Sequence, residues 1–184
     1  MEYYKVKQTD LVAEIEKNIH GGFHMAGYTL IETPVVFVHE VKQVDKDDCT
    51  KLGYEVSVAR YNGGVIVGNK GDVAIIHFQK INNGWYHRFV SCFINWLKEK
   101  GLNVFYDGND ILVDGYKVCG MAVVRYGRID YTAGFISMNP NMEHIKALCK
   151  KPMEKVPKGL RDYGITTEEV EQMFLNFCEQ DEQN

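Results

Sequence analysis

The sequence lacks closely spaced pairs of cysteines. Its five cysteines are Cys49, Cys92, Cys119, Cys149 and Cys178. Disulfide frameworks and structural zinc sites need paired or clustered thiols at short spacings. The odd, scattered set therefore argues against both. We expect reduced thiols and a cytoplasmic protein.

Long apolar runs and runs of basic residues are also missing. No stretch approaches the roughly 18 consecutive apolar residues of a membrane-spanning helix. The net charge is −4, and no run of Lys or Arg is long enough to follow a phosphate backbone. Two glycines separate His20 from His24, so this histidine pair does not share a helical face. We expect no nucleic acid, no membrane and no histidine-bound metal as partners.

The chain does contain enough apolar material for one core. Its 184 residues are 45% hydrophobic and show neither an internal repeat nor a low-complexity linker. A chain of this length buries about 70% of the surface that its unfolded form exposes. We therefore predict a single domain over residues 1–184.

The spacing of the apolar residues predicts an α+β domain. Helical periodicity with a cap or a glycine stop indicates helices in "TDLVAEIEKNIHGG", from Tyr86 to Lys100, and in "TTEEVEQMFLNFCEQ". Stretches rich in β-branched and aromatic residues, interrupted by Pro34 and by glycine pairs, indicate strands. Because hairpin signals dominate, we expect a mostly antiparallel sheet with helices packed on it.

One predicted hairpin, "GNDILVDGYKVCG" at residues 108–120, carries a lysine in an otherwise apolar strand. A two-residue Asp-Gly turn would pair Leu112 with Lys117 and Asp110 with Cys119. Alternation would then place Asp110, Lys117 and Cys119 on one face, with the two charged residues as diagonal neighbours. Two interpretations stay open. The pair is either a solvent-exposed salt bridge or the lining of a pocket, where a partly desolvated ammonium needs a counter-charge.

The hairpin is similar to the "ND(I/L)xVDGxKxxG" segment of the lipoate-protein ligases. The similarity continues upstream, where "KLGYEVSVARYNGGVIVGNKGD" resembles the ligase stretch that leads to "RRxSGGGAVFHDLGN". Downstream, "TAGFISMN" and "EKVPKG" lie where the family has "HHGTLLLN" and a lysine-glycine segment. The resemblance covers roughly residues 34 to 165. It implies the biotin/lipoate ligase fold, an α+β fold whose mixed, mostly antiparallel β-sheet is flanked by α-helices.

The resemblance also implies an activity. Such enzymes activate lipoate or octanoate with ATP and Mg²⁺ to an acyl-adenylate, and pass the acyl group to a lysine of an acceptor protein. The implied acceptor is a lipoyl domain or an H-protein-like protein. The chain has no recognisable version of the small C-terminal accessory domain found in many of these ligases, which leaves open either a separate accessory subunit or only a partial reaction. Lys117 would contact the acyl carbonyl and α-phosphate oxygens, where negative charge develops. Asp110 would orient Lys117 or help to hold Mg²⁺.

A further set of residues is implied to surround the ATP or acyl-adenylate. Most offer backbone groups, short amides or glycines that let the ligand approach closely. They are Arg60, Asn62, Gly63, Gly64, Val65, Ile66, Val67, Asn69, Asn109, Gly120 and Gly134.

Several positions differ from the family pattern. Ala59 replaces the first arginine, Gly68 replaces a histidine and Asn69 replaces an aspartate. Each lost buried contact is worth on the order of 1 kcal/mol. These losses weaken the case for full ligase activity on lipoate, so both the acyl substrate and turnover are left open.

Two alternatives remain on the same fold. An octanoyl or lipoyl acyltransferase would use a cysteine thioester, with Cys149 or Cys119 as the nucleophile. A non-catalytic module would keep the fold and bind a ligand or a protein without turning it over.

Overall fold

The computed structural model of the protein describes residues 2–21, 25–59, 64–80, 84–149 and 152–182. Within these ranges the chain forms ten strands, five α-helices and three short 3₁₀ turns. The strands are β1 (Glu2–Lys5), β2 (Met25–Leu30), β3 (Val35–Val38), β4 (Glu55–Val58), β5 (Ile66–Gly68), β6 (Val73–Lys80), β7 (Val104–Asp107), β8 (Asp110–Val113), β9 (Tyr116–Tyr126) and β10 (Ile129–Ile136). The helices are α1 (Leu11–Gly21), α2 (Lys46–Lys51), α3 (Trp85–Glu99), α4 (Met142–Leu148) and α5 (Thr167–Glu182).

The strands build two sheets. The larger has seven strands in the order β1-β2-β6-β10-β9-β8-β7, and the smaller has three in the order β4-β3-β5. In the larger sheet β1 and β2 are parallel, and the other neighbouring strands are antiparallel. The mixed, mostly antiparallel α+β architecture is therefore confirmed. The separate small sheet was not predicted.

Pro34 marks the point where the chain leaves one sheet for the other. β2 ends at Leu30 in the large sheet, and β3 begins at Val35 in the small one. A proline cannot donate a ladder hydrogen bond, so it is placed between strands rather than within one. The predicted interruption is thus confirmed as a change of sheet.

The large sheet is covered differently on its two faces. On the face that we call the helix side, α3 and α5 pack buried aromatic rings such as Phe89 and Phe174 against the strands. On the cavity side, α1 contributes Leu11 and Ile15, and β3 contributes Phe37. Strand alternation sends neighbouring side chains to opposite faces.

The predicted helix ends agree closely with the structure. The helix expected from Tyr86 to Lys100 runs as Trp85–Glu99, and Gly101 follows with a φ of 82°. The capping box of α5 is present: the Glu169 N–H donates to Thr166 Oγ1 at 3.2 Å, and the Thr166 N–H donates to Glu169 Oε2 at 2.8 Å. Within the described ranges, no helix is both long and apolar enough to span a bilayer.

Candidate active site

The β8–β9 hairpin contains an extra residue that changes its register. Ile111 pairs with Cys119 and Asp110 pairs with Gly120, so Val118 is a β-bulge with no partner of its own on β8. The predicted pairing of Asp110 with Cys119 was wrong, because it assumed an unbroken alternation along β9.

The bulge decides which residues share a face with Lys117. Cys119 is 1% exposed and packs in the helix-side core, so its predicted place beside the lysine was also wrong. Gly120 takes that place. A Cβ at Gly120 would lie 3.0 Å from both Cε and Nζ of Lys117. The expected neighbour Asp110 is there, with Oδ1 2.7 Å from Lys117 Nζ.

The backbone of Lys117 is held by the chain segment after α4. Its N–H donates to the Val156 carbonyl at 2.9 Å, and its carbonyl accepts from the Lys158 N–H at 3.0 Å. Lys117 thereby forms a parallel bridge with Pro157. This segment takes over as the neighbour of β9 beyond the end of β10 at Ile136. Both backbone polar groups of Lys117 are therefore held by this segment, which fixes the position from which its side chain extends.

A second lysine joins the same group. Lys155 Nζ lies 3.0 Å from Asp110 Oδ2 and 3.0 Å from Asp107 Oδ2, and it donates to the Asp107 carbonyl at 2.9 Å. Hydrogen bonds to these two aspartates raise the pKa of Lys155. No role was predicted for this lysine, although its position in the "EKVPKG" segment, which resembles the family, was a signal for one.

Beside these charges lies a cavity of about 450 Å³. It is enclosed by the cavity side of the large sheet, by helix α1, by the small sheet with the loop before β5, and by α4 with the segment that follows it. Apart from Asp110 and Lys117, the residues contributed by the large sheet are small or apolar, namely Ala74, Ile75, Ile76, Gly120, Met121, Ala122, Tyr131, Ala133, Gly134 and Phe135. The other apolar walls are Leu11, Val12, Ile15, Phe37, Ala59, Val65, Ile66, Val67, Ile145, Cys149, Met153 and Pro157.

The charged lining residues are gathered near one end. Asp110 contacts both Lys117 and Lys155 there, and Ser137 lies just beyond β10. Ala122 lies five residues further along β9, about 15 Å at the usual rise of a strand. The cavity thus joins a charged end to an apolar channel, an arrangement suited to a carboxylate attached to an aliphatic chain.

Most of the described residues predicted to meet ATP or the adenylate line this cavity. Gly64, Val65, Ile66 and Val67 do so from the small sheet and the loop before it. Among the described residues, a Cβ at Gly64 would meet no atom within 4 Å. Arg60, Asn62 and Gly63 lie outside the described residues, and their roles stay predictions.

Gly134 contributes to the cavity in a different way. It is part of the lining, but a Cβ there would lie 2.4 Å from Met121 Sδ, in the helix-side core. The glycine therefore makes room for a core methionine. A role in adenylate binding stays a prediction that would have to use its backbone.

Asn69 and Asn109 are outside the cavity lining. The Asn69 side-chain oxygen accepts from the Tyr54 hydroxyl at 2.5 Å, and the Asn69 backbone N–H donates to Asp72 Oδ2 at 2.8 Å. The Asn109 carbonyl accepts from the Met121 N–H at 2.7 Å, which joins the entry of β8 to β9. The structure thus places both asparagines in loop hydrogen bonds next to the cavity, and their predicted contacts with the nucleotide remain predictions.

Neither cysteine proposed as a nucleophile has an activating environment. Burial raises the pKa of Cys119 to about 12, and burial also raises the pKa of Cys149, which lines the cavity. Nucleophilic cysteines instead have a lowered pKa, because the thiolate is the reactive form. The site therefore favours chemistry centred on Lys117.

The carboxylates of the site do not fit a preformed magnesium ion. Among the described residues, no group of three or more His, Cys, Asp or Glu side chains could hold a metal. Both oxygens of Asp110 already contact ammonium groups, one from Lys117 and one from Lys155. A divalent ion at Asp110 would have to displace a lysine.

The chain matches a known family over most of its length. The family model described as the lipoyl protein ligase A/B catalytic domain matches residues 34–176. No curated protein matches the chain in sequence.

Solved structures with the same fold include several lipoate ligases. A T. acidophilum protein assigned as a lipoate protein ligase, with bound lipoic acid, aligns at a TM-score of 0.77 and 14% identity, over 99% of this chain and 86% of that one. The bipartite lipoate protein ligase of Thermoplasma acidophilum, analysed with its E2 lipoyl domain, aligns at 0.79 and 14% identity, over 99% and 83%. Lipoate-protein ligase A bound with ATP aligns at 0.79 and 15% identity, over 99% and 85%.

Proposed function

Since this chain belongs to the lipoyl protein ligase A/B catalytic-domain family, we propose that it is a lipoate-protein ligase-like enzyme. It activates lipoate or octanoate with ATP and transfers the acyl group to a lysine of an acceptor protein. The observation that carries the proposal is the position of Lys117, beside Asp110 and Gly120 at the charged end of an apolar cavity.

The cavity supports an acyl substrate with an apolar tail. Its walls beyond Lys117 are formed by Gly120, Ala122, Ala133 and the side chains of α1. Burying apolar surface stabilises a complex by roughly 25 cal/mol per Å². Lipoate and octanoate each carry a carboxylate at one end of a largely apolar chain, which matches a channel with one charged end.

Lys117 supports both chemical steps of this reaction. In the first, a carboxylate oxygen of the acid bonds to the α-phosphorus of ATP, and the bond to pyrophosphate breaks. In the second, the acceptor amine bonds to the acyl carbon, AMP leaves and the amine loses a proton. Negative charge builds up on the phosphate and carbonyl oxygens, and a fixed ammonium stabilises that charge more in the transition state than in the ground state.

The proposed partners follow from the same chemistry. The acceptor is a lipoyl domain or an H-protein-like carrier, and a separate accessory subunit is a further partner. The T. acidophilum ligase described as bi-partite, which was analysed with an E2 lipoyl domain, supports both partners by analogy. We place the protein in the cytoplasm, where its scattered thiols would stay reduced. Any Mg²⁺ would accompany the ATP phosphates.

The test is ATP-dependent release of pyrophosphate with lipoate, octanoate or biotin as the acid. Wild-type protein should release pyrophosphate with lipoate or octanoate, and Lys117→Met should lower the rate at least 100-fold. Lys51→Met is a matched control, because Lys51 also pairs with an aspartate, Asp48, but lies on α2 outside the cavity. An unchanged rate in Lys117→Met would contradict the proposed role.

The same assay separates the two alternatives. A stable thioester on Cys149, seen by mass spectrometry after incubation with an acyl donor, would point to the acyltransferase. Binding of lipoate without pyrophosphate release or a thioester would point to the non-catalytic module.

A further inference from the structure

The ammonium of Lys155 lies among three oxygens. They are Asp107 Oδ2 at 3.0 Å, Asp110 Oδ2 at 3.0 Å and the Asp107 carbonyl at 2.9 Å. An ammonium has three N–H donors and no acceptor, so these three contacts use its full hydrogen-bonding capacity. Lys155 is therefore the resident cation between the two carboxylates.

This arrangement holds the Asp110 carboxylate by both oxygens. Oδ1 contacts Lys117 Nζ at 2.7 Å, while Oδ2 contacts Lys155. Rotation of a carboxyl group about its last side-chain bond is soft when only one oxygen is engaged. Two charge-assisted contacts on opposite oxygens fix the plane of the group, and so fix the direction from which Asp110 meets Lys117.

A backbone hydrogen bond also connects Lys117 to the segment that carries Lys155. Val156, the residue after Lys155, accepts the backbone N–H of Lys117 at 2.9 Å. Lys117 is thus tied to the same segment twice, once directly through its backbone and once through Asp110 and Lys155. Moving the 155–158 segment would move both ends of the lysine.

We propose that Lys155 is a positioning residue that acts through Asp110 on Lys117, and that its ammonium occupies the place between Asp107 and Asp110 where a divalent metal would otherwise bind. The effect on turnover rests on the function proposed above, whereas the occupancy of this place does not. Asp110 is consequently an orienting group for lysine and does not hold Mg²⁺.

The first experiment measures binding of Mn²⁺ alone, without nucleotide, by electron paramagnetic resonance. Wild type, Lys155→Arg and the control Lys51→Met should bind Mn²⁺ weakly and equally. Lys155→Met keeps the side-chain stem but removes the cation, and it should bind Mn²⁺ at least tenfold more tightly. The double variant Lys155→Met with Asp110→Asn should lose this gain. Tight, Asp110-dependent Mn²⁺ binding by wild type would overturn the proposal.

The second experiment compares ligand-free crystal structures of wild type, Lys155→Met and Lys155→Arg. The contact between Asp110 Oδ1 and Lys117 Nζ should persist in wild type and Lys155→Arg and be lost or alternate in Lys155→Met. An unchanged contact in Lys155→Met would overturn the positioning role. Should Lys155→Met fail to fold, Lys155→Gln replaces it in both experiments.

Steady-state kinetics of the Lys155 variants test whether the position of Lys155 affects turnover. Lys155→Met should lower kcat for pyrophosphate release at least tenfold and leave KM for octanoate within twofold, while Lys155→Arg should keep at least a third of wild-type kcat. A merely structural role would lower the melting temperature of both variants. It would not lower kcat in Lys155→Met alone while leaving KM unchanged. If wild type releases no pyrophosphate, the proposed function fails. The Mn²⁺ and crystallographic results still test whether Lys155 excludes a metal and positions Asp110.

Discussion

The two faces of the seven-stranded sheet differ in packing, although the same strands contribute to both. On the helix side, β10 buries Gly134 and Ile136, which pack with Met121, Ile75 and the aromatic rings of α3 and α5. On the cavity side, the alternate residues Ala133 and Phe135 are partly exposed, because the space above them is hollow. One face is packed to stabilise the fold, and the other is left open to hold a ligand. Substitutions on the two faces should therefore affect different properties.

The largest effect is expected from Phe174→Ala on the helix side. Phe174 is 0% exposed, and its ring packs against Tyr28 at 5.6 Å and Phe89 at 6.0 Å between centroids. Removing a buried phenyl ring leaves a cavity and costs about 3–5 kcal/mol in the free energy of unfolding. Urea denaturation followed by circular dichroism measures the loss. A loss below about 1 kcal/mol would mean that this face is not the main core.

A smaller loss of stability is expected from Gly134→Ala. The new Cβ would lie 2.4 Å from Met121 Sδ, and Met121 is 3% exposed, so the sulfur has little room to move. Overpacking of this kind costs about 1–3 kcal/mol. The same denaturation experiment measures it. An unchanged midpoint would show that Met121 has a second rotamer available.

Ala133→Leu should separate binding from stability on the cavity side. Ala133 neighbours Gly134 in sequence but faces the hollow, so a larger side chain there fills ligand space without crowding the core. We expect lipoate affinity to fall about tenfold, equivalent to about 1.4 kcal/mol, with less than 1 kcal/mol change in unfolding free energy. Isothermal titration calorimetry gives the affinity. If the free energy of unfolding changed more than the free energy of lipoate binding, the two faces would not differ in the way described.

Gly120→Ala should have the smallest effect on stability. Its Cβ would lie 3.0 Å from Cε and Nζ of Lys117, which are the flexible end of a partly exposed side chain. We expect a change in unfolding free energy within about 0.5 kcal/mol. The displaced ammonium should lower kcat for pyrophosphate release several-fold. Full activity in this variant would show that the position of Lys117 tolerates a shift.

The sequence indicated the elements whose signals are local. The apolar stripe and glycine stop of α3, the capping box of α5 and the Asp-Gly turn all depend on residues within a few positions of one another. The proximity of Asp110 and Lys117 followed from that turn, and the motif around it indicated the family. β1 carried no comparable signal, since a four-residue edge strand depends on its parallel neighbour β2.

What the tertiary structure decided is where distant segments meet. The bulge at Val118 buries Cys119 and puts Gly120 beside Lys117, and no local pattern of alternation predicts an extra residue. Lys155 reaches Asp110 because the 156–158 segment pairs with the backbone of Lys117, about 40 residues away in sequence. Local hydrogen-bonding periods and turn geometry are encoded in neighbouring residues, whereas pairing across long loops depends on how the whole chain buries its apolar surface. The sequence by itself therefore determined the lysine and its aspartate, and only folding supplied the second lysine and the hollow beside them.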